Sequence, residues 1–203
     1  LYALALLPVV PVVVLIWRFS LDVPIADSWD LAHWLHKYDD GTLRPSDIWQ
    51  LHNEHRLLFP KLILLSLALA SGWNLYWELA VNVVLAAAIG ILFVMILRST
   101  SMRAGGTSGP MPALLAGLLV FSCAQYENWL IGWQLQIFLN LAAVMATILL
   151  LSRETKWGGF VAAVCLAVIA SYSFASGVLV WFCAAPLLIW PVSNHKQVRI
   201  QRL

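Results

Sequence analysis

The chain has 203 residues, of which 62% are hydrophobic and only 11% are charged, and its formal net charge is +2 at pH 7. Soluble domains carry about a quarter charged residues, so this composition excludes an ordinary soluble domain and indicates a membrane protein. The net charge by itself says nothing about nucleic acid, but the chain has no basic stripe, so we do not expect nucleic acid as a partner.

Seven apolar runs follow one another along the chain. They occupy residues 1–17, 57–70, 75–97, 112–124, 137–151, 159–175 and 178–190. Most approach the roughly 20 residues that a helix needs to cross a hydrocarbon core. In lipid the backbone must satisfy its own hydrogen bonds, and these runs are continuous rather than alternating, so they predict helices. We therefore expect an all-α, polytopic transmembrane helical bundle.

Basic connections predict how these segments are oriented. Three connections, residues 98–111, 152–158 and 194–203, contain one acid, Glu154, and the basic residues Arg98, Arg103, Arg153, Lys156, Lys196, Arg199 and Arg202. By the positive-inside rule these connections face the cytoplasm. Residues 57–70 carry Pro60 and Lys61 near their start and span only about 21 Å as a helix, so we expect them to lie in the outer interface. A seven-span arrangement, in which this run crosses the membrane, is the alternative.

The six remaining runs define one transmembrane domain, residues 1–203. It consists of a first span at 1–17, an outer loop with interfacial helices at 18–74, five further spans within 75–191, and a basic cytoplasmic tail at 192–203. The first residue is Leu, and no charge precedes the first run. We therefore expect the chain to be the N-terminal part of a larger protein.

The outer loop begins with two aspartates in the sequence Asp-Ser-Trp-Asp, at positions 27 and 30. Asp27 is suited to capping a helix over residues 28–38, because a short carboxylate accepts from the free amides of a first turn. Gly41 is expected to end this helix in a left-handed turn. Asp27 is thus either a cap or a functional carboxylate, and Asp30 is either a solvated charge or part of a site.

A second helix is expected over residues 45–58, and it includes the sequence His-Asn-Glu-His-Arg at positions 52–56. On a helix, His52, His55 and Arg56 share one face, and Glu54 lies on another. The spacing matches neither zinc-hydrolase motif. Three interpretations stay open: a metal bound by the two histidines, a cationic face that binds a phosphate, or an interfacial helix resting on lipid.

The second outer turn, residues 125–136, is rich in amides and aromatic side chains. Its carboxylate, Glu127, is placed at the lip of the bundle, where a charge is costly unless it faces a wet cavity or a partner. Asn128, Trp129 and Gln134 are further candidate ligand-binding residues. A polar hairpin with interfacial tryptophans is the alternative interpretation.

This plan resembles the N-terminal module of the GT-C superfamily of integral-membrane glycosyltransferases. Asp27 occupies the place of the first-loop catalytic aspartate of that superfamily, and Glu127 that of a second acidic residue. Residues 52–60, followed by an apolar run and Gly72, look like its segment of His, Pro and a hydrophobic helix. The signatures His-Asn-Glu-His-Arg and Glu-Asn-Trp-x-x-Gly-x-Gln are also similar to those of a group of bacterial membrane proteins.

The resemblance implies transfer of a sugar from a polyprenyl-phosphate-linked donor at the outer face of a bacterial inner membrane. It implies catalytic roles for Asp27, as general base, and Glu127, which would orient the acceptor or hold a divalent cation. Arg56 would bind the lipid phosphate. The complete set of implied substrate-binding residues is Asp30, His52, Glu54, His55, Arg56, Asn128, Trp129 and Gln134. The implied partners are the polyprenyl-linked donor and membrane lipids.

A non-enzymatic membrane module, such as a lipid-binding subunit, a scaffold or a transporter segment, is the other function class. Transporters place polar groups near the middle of broken helices. Here the helix interiors contain few polar residues, mainly Asn82, Asn140 and Thr147. This disfavours an ion-coupled transporter but leaves a scaffold open.

Overall fold

The computed structural model describes residues 7–103, 109–153 and 157–189. Within these ranges the chain forms α-helices and short 3₁₀ turns and contains no β-strand, which confirms the predicted all-α class. The predicted basic tail at 192–203 lies outside the described residues. So do the first six residues of the predicted first span and parts of the other two basic connections.

Ten α-helices account for most of the described chain. They are α1 (Val9–Phe19), α2 (Asp30–Asp39), α3 (Pro45–Trp49), α4 (Leu58–Ser71), α5 (Tyr76–Arg103), α6 (Met111–Val120), α7 (Tyr126–Leu130), α8 (Leu135–Leu151), α9 (Trp157–Ser171) and α10 (Leu179–Ile189). Single 3₁₀ turns precede α2, α7, α8 and α10, at Ala26–Trp29, Cys123–Gln125, Gly132–Gln134 and Ala175–Val178.

Two stretches of helix are long and apolar enough to cross a membrane, judged by length and composition. They are Tyr76–Met102, with 27 residues, and Gly132–Leu151, with 20 residues. Four other apolar helices are shorter than that: Val9–Phe19, Leu58–Ser71, Trp157–Ser171 and Ala175–Ile189. The structure thus supports two of the predicted crossings, and the bundle of about six spans stays a prediction.

Helix α8 forms the centre of the helical bundle, since it packs against both α5 and α9. Its contact with α9 and α10 is built from small side chains, and the buried cluster consists of Ala143, Ala167, Ala170 and Val180. Small residues allow helix backbones to approach closely. The Asn140 side chain then donates a hydrogen bond of 3.0 Å across this contact to the Ala170 carbonyl.

The first-loop helices α2, α3 and α4 pack together, and α4 contacts both α5 and α8. Leu31 and Trp34, three residues apart on one face of α2, are buried in this layer. Their cluster also includes Leu64 of α4 and Leu135 at the start of α8. Gly41 follows α2 with a φ of 65°, which confirms the predicted left-handed turn. The loop is therefore a packed layer.

The segment after α3 differs from the predicted helix over residues 45–58, because α3 ends at Trp49. Residues 52–55 form a tight turn in which His52 and His55 exchange backbone hydrogen bonds of 2.8 and 3.2 Å. Asn53 has a φ of 52° in this turn, a left-handed conformation that Asn tolerates better than most residues. The shared helical face predicted for His52, His55 and Arg56 is therefore wrong.

The helix cap predicted for Asp27 is also wrong. The residue at the N-cap of α2 is Trp29, and no side chain caps this helix. Asp27 lies one turn earlier, in the 3₁₀ segment Ala26–Trp29, which starts with Ala26 at a φ of 50°. This left-handed residue turns the chain so that α2 begins later than the sequence suggests. The Asp27 carboxylate is thereby available for a contact elsewhere.

We expect Gly177→Ala to destabilise the bundle. A Cβ at Gly177 would overlap the Ala170 carbonyl oxygen, which also accepts the hydrogen bond from Asn140, so backbone would have to move. The expected loss is about 1–3 kcal/mol, typical of overpacking. Thermal unfolding of the purified protein in detergent, followed by circular dichroism, measures it.

Gly158→Ala is the matched control for that substitution. Gly158 lies in the first turn of α9, and no heavy atom of the described residues lies within 4 Å of an added Cβ. Alanine in a helix is favoured over glycine by about 0.5–1 kcal/mol, so this variant should unfold at or slightly above the parent temperature. Equal unfolding temperatures for the two variants would contradict the tight α8–α9–α10 contact.

Candidate functional site

The His52 imidazole bridges two carboxylates. Its Nδ1 lies 3.1 Å from Asp30 Oδ2, and its Nε2 lies 3.3 Å from Asp27 Oδ2. The His52 side chain is only 11% exposed, whereas those of Asp27 and Asp30 are 56% and 52% exposed. With a proton on each ring nitrogen, His52 donates to both carboxylates. The arrangement holds two solvent-accessible carboxylates in fixed positions around one nearly buried ring.

The local chain explains why these three residues meet. Asp27 and Asp30 are three residues apart in the helical turn that leads into α2, so their side chains lie on the same side. The turn at residues 52–55 brings the His52 ring to them from the opposite part of the loop. The Trp133 ring packs against the His52 ring, with 5.1 Å between the ring centroids. Trp34 stacks on Trp133 at 5.9 Å.

A cavity of about 230 Å³ lies beside the His52 ring. Its lining is mostly polar and consists of Asp30, His33, Trp34, Asp47, Gln50, Leu51, His52 and Lys61. Its volume is that of several water molecules, at roughly 30 Å³ each, so a small polar group fits inside. Every lining residue belongs to the first loop or to the start of α4. The cavity therefore joins the bridged carboxylates to a second set of charges.

Asp47 is one of those charges, and it is already paired. The Lys37 ammonium donates to its Oδ1 at 2.7 Å, and the Arg44 backbone N–H donates to its Oδ2 at 2.8 Å. The hydrogen bond from Lys37, followed by that from Arg44, holds the pKa of Asp47 below its usual value. Asp47 thus fixes the start of α3 and one wall of the cavity.

Lys61 is the other charge, and the sequence analysis did not identify it as a site residue. It is only 2% exposed, although it lies on the apolar helix α4. Its Nζ donates to the Gln50 carbonyl at 2.7 Å and lies 5.1 Å from the Trp34 ring centroid. Burial lowers the pKa of Lys61, and the negative charge of Asp30 opposes this effect. A single lysine in an apolar run was the available signal.

The remaining residues of the His-Asn-Glu-His-Arg sequence do not line the cavity. Glu54 is exposed in the turn, and Arg56 is exposed with its guanidinium 5.1 Å from the Trp49 ring centroid. The His55 ring packs edge-on against Phe174, at 5.6 Å, and its Nε2 is buried with no hydrogen-bond partner among the described residues. His55 thus attaches the turn at residues 52–55 to the segment between α9 and α10.

Residues 125–136, the second turn of the sequence analysis, place their four predicted site residues away from the cavity. The exposed Glu127 accepts a 3.3 Å hydrogen bond from its neighbour Tyr126, and Asn128 donates to Gln125 at 3.1 Å. Trp129 is fully buried, and its ring stacks on Phe121 and Phe138. Gln134 is half-buried in the 3₁₀ turn before α8. None of the four predicted residues Glu127, Asn128, Trp129 and Gln134 lines the cavity.

Polar residues of α5 hold this second turn in place. The carboxylate of Glu78, which is 2% exposed, packs directly on Gly132, so only glycine fits there. The fully buried Asn82 amide lies 3.5 and 3.4 Å from the carbonyls of Asn128 and Ile131. These contacts fix the backbone of the residues that precede Trp133. The same contacts therefore help to position the Trp133 ring, which packs against His52.

Among the residues that the structure describes, no group of three or more His, Cys, Asp or Glu side chains is placed to hold an ion. His52 and His55, the predicted pair, point to different neighbours, since one meets the aspartates and the other meets Phe174. The metal interpretation of that pair therefore has no support from the geometry.

Comparison with known proteins gives no match for this chain, whether with protein-family models, with curated proteins or with solved structures. The chemistry of the site therefore follows from its own residues. Around one cavity lie the His52 imidazole between two carboxylates, the paired Asp47 and the buried Lys61.

We expect Asp47 to make the stability of the loop depend on pH. Because its pKa in the folded chain lies below the ordinary value of 3.8, its contribution is complete above that value and disappears as the pH falls through the folded pKa. Asp47→Asn should therefore unfold at a lower temperature than the parent at neutral pH, and this difference should shrink on acidification below about pH 4. Thermal unfolding at a series of pH values measures it.

Asp39→Asn is the control, because Asp39 is an exposed carboxylate at the end of α2, in the same loop. Its unfolding temperature should follow that of the parent at every pH. A constant difference between Asp47→Asn and the parent across the whole series would contradict the paired state of Asp47.

Proposed function

We propose that this chain is a membrane glycosyltransferase-like protein of the GT-C type, which transfers a sugar from a polyprenyl-phosphate-linked donor at the outer face of a bacterial inner membrane. The observation that carries the proposal is the His52 imidazole bonded to both Asp27 and Asp30 beside a polar cavity. A half-exposed carboxylate with a fixed orientation is suited to accept a proton from an incoming hydroxyl.

The proposed reaction uses Asp27 as general base. The acceptor hydroxyl oxygen attacks the anomeric carbon of the sugar, the bond from that carbon to the phosphate oxygen breaks, and the polyprenyl phosphate leaves. Asp27 takes the hydroxyl proton. His52 is a positioning residue, because its two hydrogen bonds orient Asp27 and Asp30 without occupying the cavity. Asp30, which lines the cavity, contacts the hydroxyl groups of the sugar.

The residues outside the cavity have secondary places in this proposal. The exposed Glu127 orients the acceptor from the second outer turn, as the resemblance implies. The exposed Arg56, close to Trp49, contacts lipid headgroups at the membrane surface.

Exposed apolar faces support the membrane part of the proposal. On α5 the residues Trp77, Val84 and Ile91, spaced seven apart, form one exposed stripe. Similar exposure is seen on α1 and α10, at Val10, Val13, Val14, Trp17, Leu179, Phe182 and Ile189. Contiguous apolar surface of this kind is unusual in water and suits contact with lipid. We propose about six spans, with residues 18–74 outside.

We expect Asp27→Asn to lower sugar transfer by at least about 100-fold, the lower end of the usual contribution of a general base. Membranes containing the full chain are assayed with a panel of polyprenyl-phosphate-linked sugars and radiolabelled acceptors. Asp39→Asn, which removes an exposed carboxylate of the same loop, should transfer at the parent rate. Equal rates for Asp27→Asn and the parent would remove Asp27 from the mechanism. Transfer by none of the three proteins would favour the non-enzymatic membrane module.

The proposed topology predicts which positions are accessible from outside the cell. In a background that lacks Cys123, Cys165 and Cys183, single cysteines replace Ser46, which is exposed in the first loop, and Met102, which is 75% exposed at the end of α5. An impermeant maleimide added to intact cells should label position 46 and should label position 102 only after permeabilisation. The reverse pattern would place the cavity in the cytoplasm.

A further inference from the structure

The Lys61 ammonium is buried, and among the described residues it has no counter-ion in direct contact. The side chain is 2% exposed, and within the described parts of the chain no carboxylate oxygen lies within 4.0 Å of its Nζ. Its contacts are one carbonyl, that of Gln50, and the face of the Trp34 ring. A buried charge is costly unless it is paired, so this ammonium calls for an anion.

The carboxylates around the cavity are each engaged with another group. Asp47 is bonded to Lys37 at 2.7 Å. Asp30 and Asp27 share the His52 imidazole. Their charges act on Lys61 only over a longer distance. None of these carboxylates is in direct contact with Lys61, so an anion bound in the cavity would be its nearest counter-ion.

Lys61 borders the cavity of about 230 Å³, on the same lining as Asp30 and His52. An ammonium has three N–H donors, and the Gln50 carbonyl takes one of them, so donors remain for a ligand. The exposed His33 lies on the same lining and adds another nitrogen. The cavity is large enough for a tetrahedral oxyanion and a few water molecules.

We infer that Lys61 is the anion-binding residue of this cavity and that the anion is the phosphoryl group of a phosphorylated ligand. The inference rests on the proposed function, because it names the residue that holds the phosphate of the proposed donor. The resemblance assigns phosphate binding to Arg56, which is exposed and does not line the cavity. The inference assigns phosphate binding to Lys61 instead.

Three probes test the inference on the full chain in nanodiscs of phosphatidylcholine, a lipid without net charge. They are radiolabelled farnesyl phosphate, farnesol, which lacks the phosphate, and inorganic phosphate as competitor. The parent should bind farnesyl phosphate at least about tenfold more tightly than farnesol, because a hydrogen-bonded charge pair is worth that factor or more. Equal binding of the two lipids would overturn the inference without any substitution.

The substitutions then identify the residue. Lys61→Met should weaken farnesyl phosphate binding by at least about tenfold, and Lys61→Arg, which keeps the charge, should bind closer to the parent than to Lys61→Met. Arg18→Gln is the matched control, since it removes an exposed cation at the start of the same loop, and it should bind like the parent. Parent-like binding by Lys61→Met, or an equal loss with Arg18→Gln, would overturn the inference.

The competitor distinguishes the two sources of phosphate. Displacement of farnesyl phosphate only by concentrations of inorganic phosphate far above those of the lipid would identify a lipid-linked phosphate. Displacement at equal concentrations would identify free phosphate, and either result upholds an anion site at Lys61. Binding is measured without sugar transfer, so the two proposals can fail separately. Loss of binding in Lys61→Met together with unchanged transfer in Asp27→Asn would support the anion site and contradict the role of Asp27 as general base.

Discussion

The candidate site depends on ring contacts that join two distant parts of the chain. The buried Trp133, from the turn before α8, contacts Trp34 of α2 and His52 of the tight turn. Aromatic contacts of this kind contribute about 0.5–1.5 kcal/mol beyond the burial of their surface. Because Trp133 touches both the helix that carries Asp30 and the turn that carries His52, its position determines how far the imidazole lies from the carboxylates.

The position of Trp133 depends in turn on polar residues that never reach the cavity. Glu78 packs on Gly132, and Asn82 lies within hydrogen-bond distance of carbonyls of the same turn. The Asn82 amide nitrogen reaches two carbonyls of this turn at once, which fixes the backbone that carries Trp133. Mutations at Glu78 or Gly132 therefore act on the site through the placement of one ring, without touching a ligand.

Composition and apolar runs predicted the all-α class, and Gly41 predicted the end of α2, because these features depend on local sequence. The candidate carboxylates Asp27 and Asp30 and the ring of His52 were also identified, but not their contact. That contact joins residues more than twenty positions apart and requires a turn at Asn53. The helical periodicity of the sequence predicts neither the contact nor the turn. Lys61 stands out in the sequence as one lysine in an apolar run, but its burial at the edge of the cavity is visible only in three dimensions.

The cavity has an order of assembly that follows from where its lining residues stand. All of them lie between Asp30 and Lys61, whereas Trp133 comes much later in the chain. Since a chain is made from its N-terminus, the whole lining leaves the ribosome before the ring that supports His52 exists. The early segment carries the charged residues of the cavity, and Trp133 of the later turn fixes their relative positions. During synthesis we therefore expect Asp30, His52 and Lys61 to reach their final geometry only when the turn before α8 packs against the loop.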